Sequence, residues 1–104
     1  MKIAREEIFG PVLATMTFGS IEDAIAKSNH CNFGLACGIW TQNIKKAHAL
    51  AAKIKAGSVW INTYNMYDAA APYGGWKQSG FGYDSGLQSM DSYLKTKTVW
   101  VDLY

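Results

Sequence analysis

The chain has 104 residues, about the length of one domain, and with 49% hydrophobic and 17% charged residues it falls among globular chains rather than disordered ones. A net charge of +2 is too small and too scattered to make an electrostatic footprint for nucleic acid or an acidic membrane surface. No apolar run approaches the roughly 20 residues that cross a bilayer, and the start Met1-Lys2-Ile3-Ala4-Arg5 lacks the apolar core of a signal peptide. Cys31 and Cys37 are too few for a disulfide framework or a four-ligand zinc site, so a reducing, cytoplasmic setting is expected.

In chain order, residues 12–18 form a run of strand formers opened by Gly10-Pro11 and closed by Gly19. Ser20-Ile21-Glu22-Asp23 has the form of a capping box, and Ile21, Ala24, Ile25 and Ser28 recur at helical spacing to about Asn29, giving a helix with one face to bury. Residues 35–41 are almost wholly apolar, as expected of a strand covered on both faces. Over residues 42–56 the apolar set Ile44, Ala47, Ala51 and Ile54 steps by three and four, with Gly57 as a natural stop, and predicts a second helix. A third strand follows at residues 58–63.

This alternation of strands and crossover helices favours an α/β fold with a parallel sheet. Residues 64–86 then hold five of the ten glycines with no helical or strand period, and read as a long structured loop, a type that is usually functional in compact folds. A short helix over 85–93 and a last strand over 96–103 complete the expected elements. Two helices cannot cover both faces of three apolar strands, and the last strand has no evident partner in the chain. The 104 residues therefore read as a piece of something larger.

Little in the composition points to chemistry by itself. His30, Cys31 and His48 lack the spacing of a zinc site, since Cys31 falls in a helix-to-strand loop and His48 in the middle of a predicted helix. Cys37 sits in an apolar strand, where a small thiol is ordinary packing, and no base for Cys31 can be identified. The run from Gly74 to Gly82 contains Gly, Lys and Ser, but its spacing fits neither a Walker loop nor a dinucleotide loop, and glycines that permit sharp turns account for it better. Glu6-Glu7 precede Ile8-Phe9 and a Gly-Pro turn at a strand entrance. From the residues alone, a ligand-facing carboxylate and a charged end in water both remain open there.

Taken together, Glu6-Glu7-Ile8-Phe9-Gly10-Pro11-Val12, Phe33-Gly34-Leu35-Ala36, Ala56-Gly57-Ser58-Val59-Trp60-Ile61-Asn62, Pro72-Tyr73-Gly74-Gly75-Trp76-Lys77-Gln78-Ser79-Gly80 and Lys97-Thr98-Val99 resemble the C-terminal end of the NAD(P)-dependent aldehyde dehydrogenase superfamily. The resemblance runs through essentially the whole chain in order. It implies oxidation of aldehydes to carboxylic acids with NAD or NADP, through a thiohemiacetal and thioester on a cysteine. That cysteine and the glutamate base lie upstream of the matching segment, so no catalytic residue is assigned here and the isolated chain is expected to be inactive.

By the same resemblance, Glu7 takes the nicotinamide ribose hydroxyls, for which an ionised carboxylate has two acceptor oxygens, and Phe9 packs near the nicotinamide. Tyr67 and Tyr73 match aromatic positions, often Phe, of the aldehyde tunnel. The implied division is residues 1–78 as part of the catalytic domain, 79–95 as a connection, and 96–104 as a strand that adds to a neighbouring subunit of a homo-oligomer. Two departures stand out: Trp76 replaces a common Tyr, and Gly82-Tyr83-Asp84 replaces Gly-Arg-Glu. The alternative is a non-catalytic interaction module that pairs with related subunits through its C-terminal strand.

Overall fold

The computed structural model describes residues 1–104. A 3-10 turn, Lys2–Ala4, precedes helix α1 (Ile21–Asn29), strands β1 (Phe33–Gly34) and β2 (Ala36–Ile39), helix α2 (Ile44–Lys53), strands β3 (Ser58–Ile61) and β4 (Trp76–Lys77), and a second 3-10 helix, Leu87–Ser92. β2 and β3 lie parallel in the register Ala36↔Ser58 to Ile39↔Ile61, and β1 pairs antiparallel with β4. The α/β reading holds, with a parallel pair joined by the crossover helix α2.

Local chemistry explains the helix starts. Ser20 is extended, and its hydroxyl accepts from the Asp23 N–H at 3.1 Å while Asp23 accepts from the Gly19 N–H at 3.1 Å, so two otherwise unpaired N–H groups are satisfied reciprocally. Lys27 closes the first turns by donating to Asp23 Oδ2 and to the Thr17 carbonyl, both at 2.7 Å. These hydrogen bonds, led by that from Lys27, hold the Asp23 carboxyl below its ordinary range. Asn43 caps α2 in the same way, accepting from the Lys46 N–H at 3.0 Å.

α2 ends at Lys53, short of the expected 42–56, and Gly57 is not its stop. The cause lies 24 residues away in the chain: the Asn29 amide donates to the Lys53 carbonyl and accepts from the Lys55 N–H, each at 2.8 Å. With those groups taken, Ile54 turns extended (ψ 127°) and the chain is fed into β3. Gly57 serves a crossing instead. Its N–H donates to the Gly34 carbonyl at 3.0 Å, and a Cβ placed on it would lie 1.6 Å from the Gly74 carbonyl oxygen.

The core is small: Ile39, Ile54 and Ala56, with Cys37, Leu50, Ala51 and Val59 packed against them. Three expectations change accordingly. Residues 35–41 are not covered on both faces, since Ile39 alone of them has a buried hydrophobic side chain. The stripe of α1 is only half-buried. Residues 12–18 join no ladder, so the first of the three expected parallel strands is missing, and Leu13 and Phe18 stay exposed. Residues 96–103 form no ladder within the chain either.

The radius of gyration is 18.7 Å, against about 13 Å for a compact domain of this length. The accessible surface is 8921 Å², roughly 3,000 Å² more than the scaling for folded monomers of this mass gives. Apolar groups such as Phe9, Trp100 and Leu103 supply much of it. No helix is long and apolar enough to cross a membrane.

The crossing yields a paired test. Gly57→Ala forces a methyl into the Gly74 carbonyl and is expected to cost about 3 kcal/mol or more, whereas Gly10→Ala, which meets nothing within 4 Å, stays within roughly 0.5 kcal/mol. Urea midpoints followed by tryptophan fluorescence measure both, and equal midpoints would show that the crossing is not a constraint.

Candidate functional site

Two regions collect the residues that the sequence singles out. The first is a hollow between the N-terminal 3-10 turn and the β1/β4 ribbon, lined on one side by Ile3, Arg5 and Glu7 and on the other by Cys31, Phe33, Gln78 and Ser79. The ribbon wall is tied at several points. The Ser79 hydroxyl accepts from the Gly34 N–H at 2.9 Å, and the Gln78 N–H donates to the Asn32 carbonyl at 3.0 Å. Lys77 Nζ donates to the carbonyls of Asn29 and Cys31 at 3.0 and 2.8 Å.

Glu7 makes no ion pair or side-chain hydrogen bond within the chain; the only ion pair is that of Lys27 with Asp23. Its two carboxylate oxygens are free acceptors, which fits a vicinal diol such as a ribose. Phe9 is 97% exposed and shares only a shallow patch with Glu7, Ile8 and Gly10. It therefore presents a free ring face rather than a wall of the hollow.

The second region is an aromatic chain that runs from Trp40, just after β2, through Trp60 of β3 to Tyr64, Tyr67 and Tyr73 of the loop after β3. Trp40 stacks on Tyr64 (centroids 6.3 Å apart), Tyr64 meets Trp60 edge-on at 4.9 Å, Trp60 meets Tyr67 at 5.6 Å, and Tyr67 meets Tyr73 at 5.0 Å. Each contact adjoins the next, so the rings brace one another in the edge-to-face geometry that aromatic quadrupoles favour. Polar contacts lock the series: Trp60 Nε1 donates to the Met66 carbonyl at 2.8 Å and the Tyr67 hydroxyl to Asn65 Oδ1 at 2.5 Å. Tyr73 is further held by two backbone hydrogen bonds with Asp84, both 2.7 Å. Tyr67 and Tyr73 thus come together, and neither lines the hollow that Glu7 borders, although Tyr73 lines a neighbouring cavity that shares Leu35 and Ser79 with it.

Burial pushes the Tyr73 phenol above the ordinary tyrosine range, and the Tyr67 hydroxyl and Asp84 carboxylate add to the shift. Burial likewise raises the Cys37 thiol. Neither environment makes a nucleophile. No three His, Cys, Asp or Glu side chains converge anywhere in the chain.

The family model described as the aldehyde dehydrogenase family matches residues 1–99. The chain belongs to that family. It is 47% identical over 104 residues to aldehyde dehydrogenase 1 of Tanacetum cinerariifolium, covering 100% of this chain and 21% of the relative. To betaine aldehyde dehydrogenase 2 of Rhizobium meliloti (strain 1021) it is 46% identical over 103 residues, or 99% of this chain and 21% of that protein. Among solved structures, the NAD+ complex of an aldehyde dehydrogenase from Bacillus cereus superposes with a TM-score of 0.90 at 52% identity, covering all of this chain and 21% of that one. The chain therefore spans about a fifth of the length of the family members it matches.

Several residues of these two regions escaped the sequence reading. Asn29 reads as the end of its own helix, and nothing in the sequence directs its amide to α2. Asn65 and Ser79 likewise carry no local sign of their partners. Trp60 and Tyr64 could have been grouped with Tyr67 and Tyr73 from the density of aromatics alone.

Two titrations follow from the raised groups. A phenol whose folded pKa is raised stays protonated longer in the folded state. Its contribution to stability is therefore complete below the unfolded value and is lost as pH rises through the folded one. Tyr73→Phe is expected to remove a component of tyrosinate absorbance that rises above the ordinary tyrosine range, and an unchanged high-pH limb would contradict the assignment. At mildly alkaline pH, iodoacetamide is expected to label Cys37 more slowly than Cys31, as mass spectrometry of the Cys31→Ser and Cys37→Ser chains would resolve.

Proposed function

We propose that this chain is the cofactor-positioning and tunnel-lining part of an enzyme that oxidises aldehydes to carboxylic acids with NAD or NADP. The observation that supports the reading is the match of the whole of this chain, at 52% identity, to about a fifth of an aldehyde dehydrogenase solved as its NAD+ complex. Overall, an aldehyde, water and the oxidised cofactor become a carboxylate, the reduced cofactor and two protons. The attacking cysteine and the glutamate base belong to other parts of the enzyme, and neither Cys31 nor Cys37 replaces them. The cofactor, when bound, supplies the hydride acceptor.

The roles left to this chain are binding and orientation. Glu7, with both oxygens free, accepts the two hydroxyls of the nicotinamide ribose in charge-assisted bonds. Phe9 offers its exposed ring to the nicotinamide end, and the Gly10-Pro11 turn stiffens the segment that carries both. Fixing the acceptor in this way matters, because misplacing reacting groups by about 1 Å can cost about 100-fold in rate. Tyr67 and Tyr73 line the approach of the aldehyde, and their hydroxyls make it more polar than a pair of phenylalanines would. Residues 96–104 form the oligomerisation strand of a homo-oligomer, and residues 79–95 connect it to the catalytic part. The setting is cytoplasmic.

A second reading rests on the exposed, unladdered residues 96–103, where Trp100 is 91% exposed. On that reading the chain is a non-catalytic module that pairs with related subunits.

Replacing the matching segment of the Bacillus cereus enzyme with residues 1–104 separates the two. The chimera is expected to reduce NAD or NADP with aldehydes, while the isolated chain does not. An inactive chimera that still assembles favours the interaction module. In an active chimera, Glu7→Gln is expected to lower kcat/KM by roughly 10- to 100-fold. The Tyr67→Phe and Tyr73→Phe variants should shift preference from polar toward apolar aldehydes, and unchanged preference would remove the tyrosines from the tunnel.

A further inference from the structure

We propose that Lys77 is a positioning residue for the cofactor-side hollow, its ammonium clamping the β1/β4 ribbon onto the end of α1. The inference rests on the reading of that hollow given above, and adds to it a residue that touches neither cofactor nor substrate. Four observations carry it.

Lys77 has φ +55°. A lysine in the left-handed region is strained, and such strain persists only where the surroundings over-determine it. Its side chain is exposed, yet the ammonium is not left to water. It folds back across 48 and 46 residues of sequence to the carbonyls of Asn29 and Cys31, at 3.0 and 2.8 Å.

Asn29 is the last residue of α1, so its carbonyl is one of those left without an intrahelical partner at the negative end of the helix dipole. An ammonium there satisfies the carbonyl and opposes the dipole at once. The same Asn29 holds the Lys53 carbonyl and the Lys55 N–H through its side chain. Lys77 is thereby joined, through one residue, to the exits of both helices.

β1 and β4 are two residues each, too short a ladder to fix its own register. Phe33 pairs with Lys77 in that ladder. Immediately beyond it come Gln78, bonded to Asn32, and Ser79, bonded to Gly34. Cys31, Phe33, Gln78 and Ser79 are the wall that faces Glu7 across the hollow. Lys77 thus fixes this wall from behind, and with it the width of the hollow that Glu7 borders.

The enzyme-length chimera provides the test, with Lys77→Met, Lys77→Arg and Lys77→Gly compared by NADH affinity from fluorescence titration, by the KM of each substrate, and by thermal unfolding. Lys77→Met is expected to weaken NADH binding and raise the KM for the oxidised cofactor by roughly fivefold, the loss of about one hydrogen bond's worth of positioning. The KM for aldehyde should stay within about twofold. Lys77→Arg, which keeps donors for both carbonyls, should recover most of the loss. Lys77→Gly, which relieves the backbone but has no ammonium, should behave like the methionine variant.

Wild-type NADH affinity in Lys77→Met would overturn the proposal. So would an equal rise in both KM values together with a lower unfolding temperature, or recovery by glycine rather than arginine. A chimera with Lys77 intact that binds no NADH would instead overturn the dehydrogenase reading itself, and this proposal with it.

Discussion

The fold turns on a backbone crossing at Gly57. There the N–H donates to the Gly34 carbonyl while the α-carbon lies so close to the Gly74 carbonyl that no side chain fits. Gly34 and Gly74 are themselves buried, and a Cβ on Gly34 would come within 2.4 Å of the Lys55 carbonyl oxygen. Three stretches of chain, from β1, the start of β3 and the glycine-rich loop, are therefore in backbone contact. Glycine is required at this place for lack of room rather than for an unusual dihedral angle. Once the crossing is made, β1 can meet β4, and the loop that carries Tyr73 is anchored to the sheet.

Around this crossing, polar side chains do work that a larger core would do elsewhere. Asn29 ends α2 and Lys77 pairs the last carbonyl of α1, while Ser79 secures the backbone of β1. Such bonds are individually modest, about 1 kcal/mol each, but they are directional, and they set where short elements lie when burial is slight. The hydrophobic contribution is correspondingly small, since most large apolar side chains remain exposed. The relatives it matches are about five times longer than this chain.

The candidate site shows the same division. The aromatic chain from Trp40 to Tyr73 is braced internally, each ring by the next, and can keep its shape with few outside contacts. Glu7 and Phe9 are held only by their own turn, with free oxygens and a free ring. The Tyr67–Tyr73 pair, by contrast, is oriented by contacts within this chain.

Helical spacing of apolar residues, the capping box at Ser20–Asp23 and short apolar runs made α1, α2 and the strands at 36–39 and 58–61 legible, because those signals are local. The family was legible too, from ordered motifs spread over the chain, whereas the edge-to-face contact of Tyr67 with Tyr73 was not. Strand character at 12–18 and 96–103 was equally plain, but a strand needs a partner for its backbone groups, and propensity cannot supply one. The end of α2, the β1/β4 ribbon, the crossing at Gly57 and the clamp of Lys77 were decided only in three dimensions. Each depends on groups 17 to 48 residues apart in sequence, and a hydrogen bond or a steric contact over that distance leaves no pattern in the residues between.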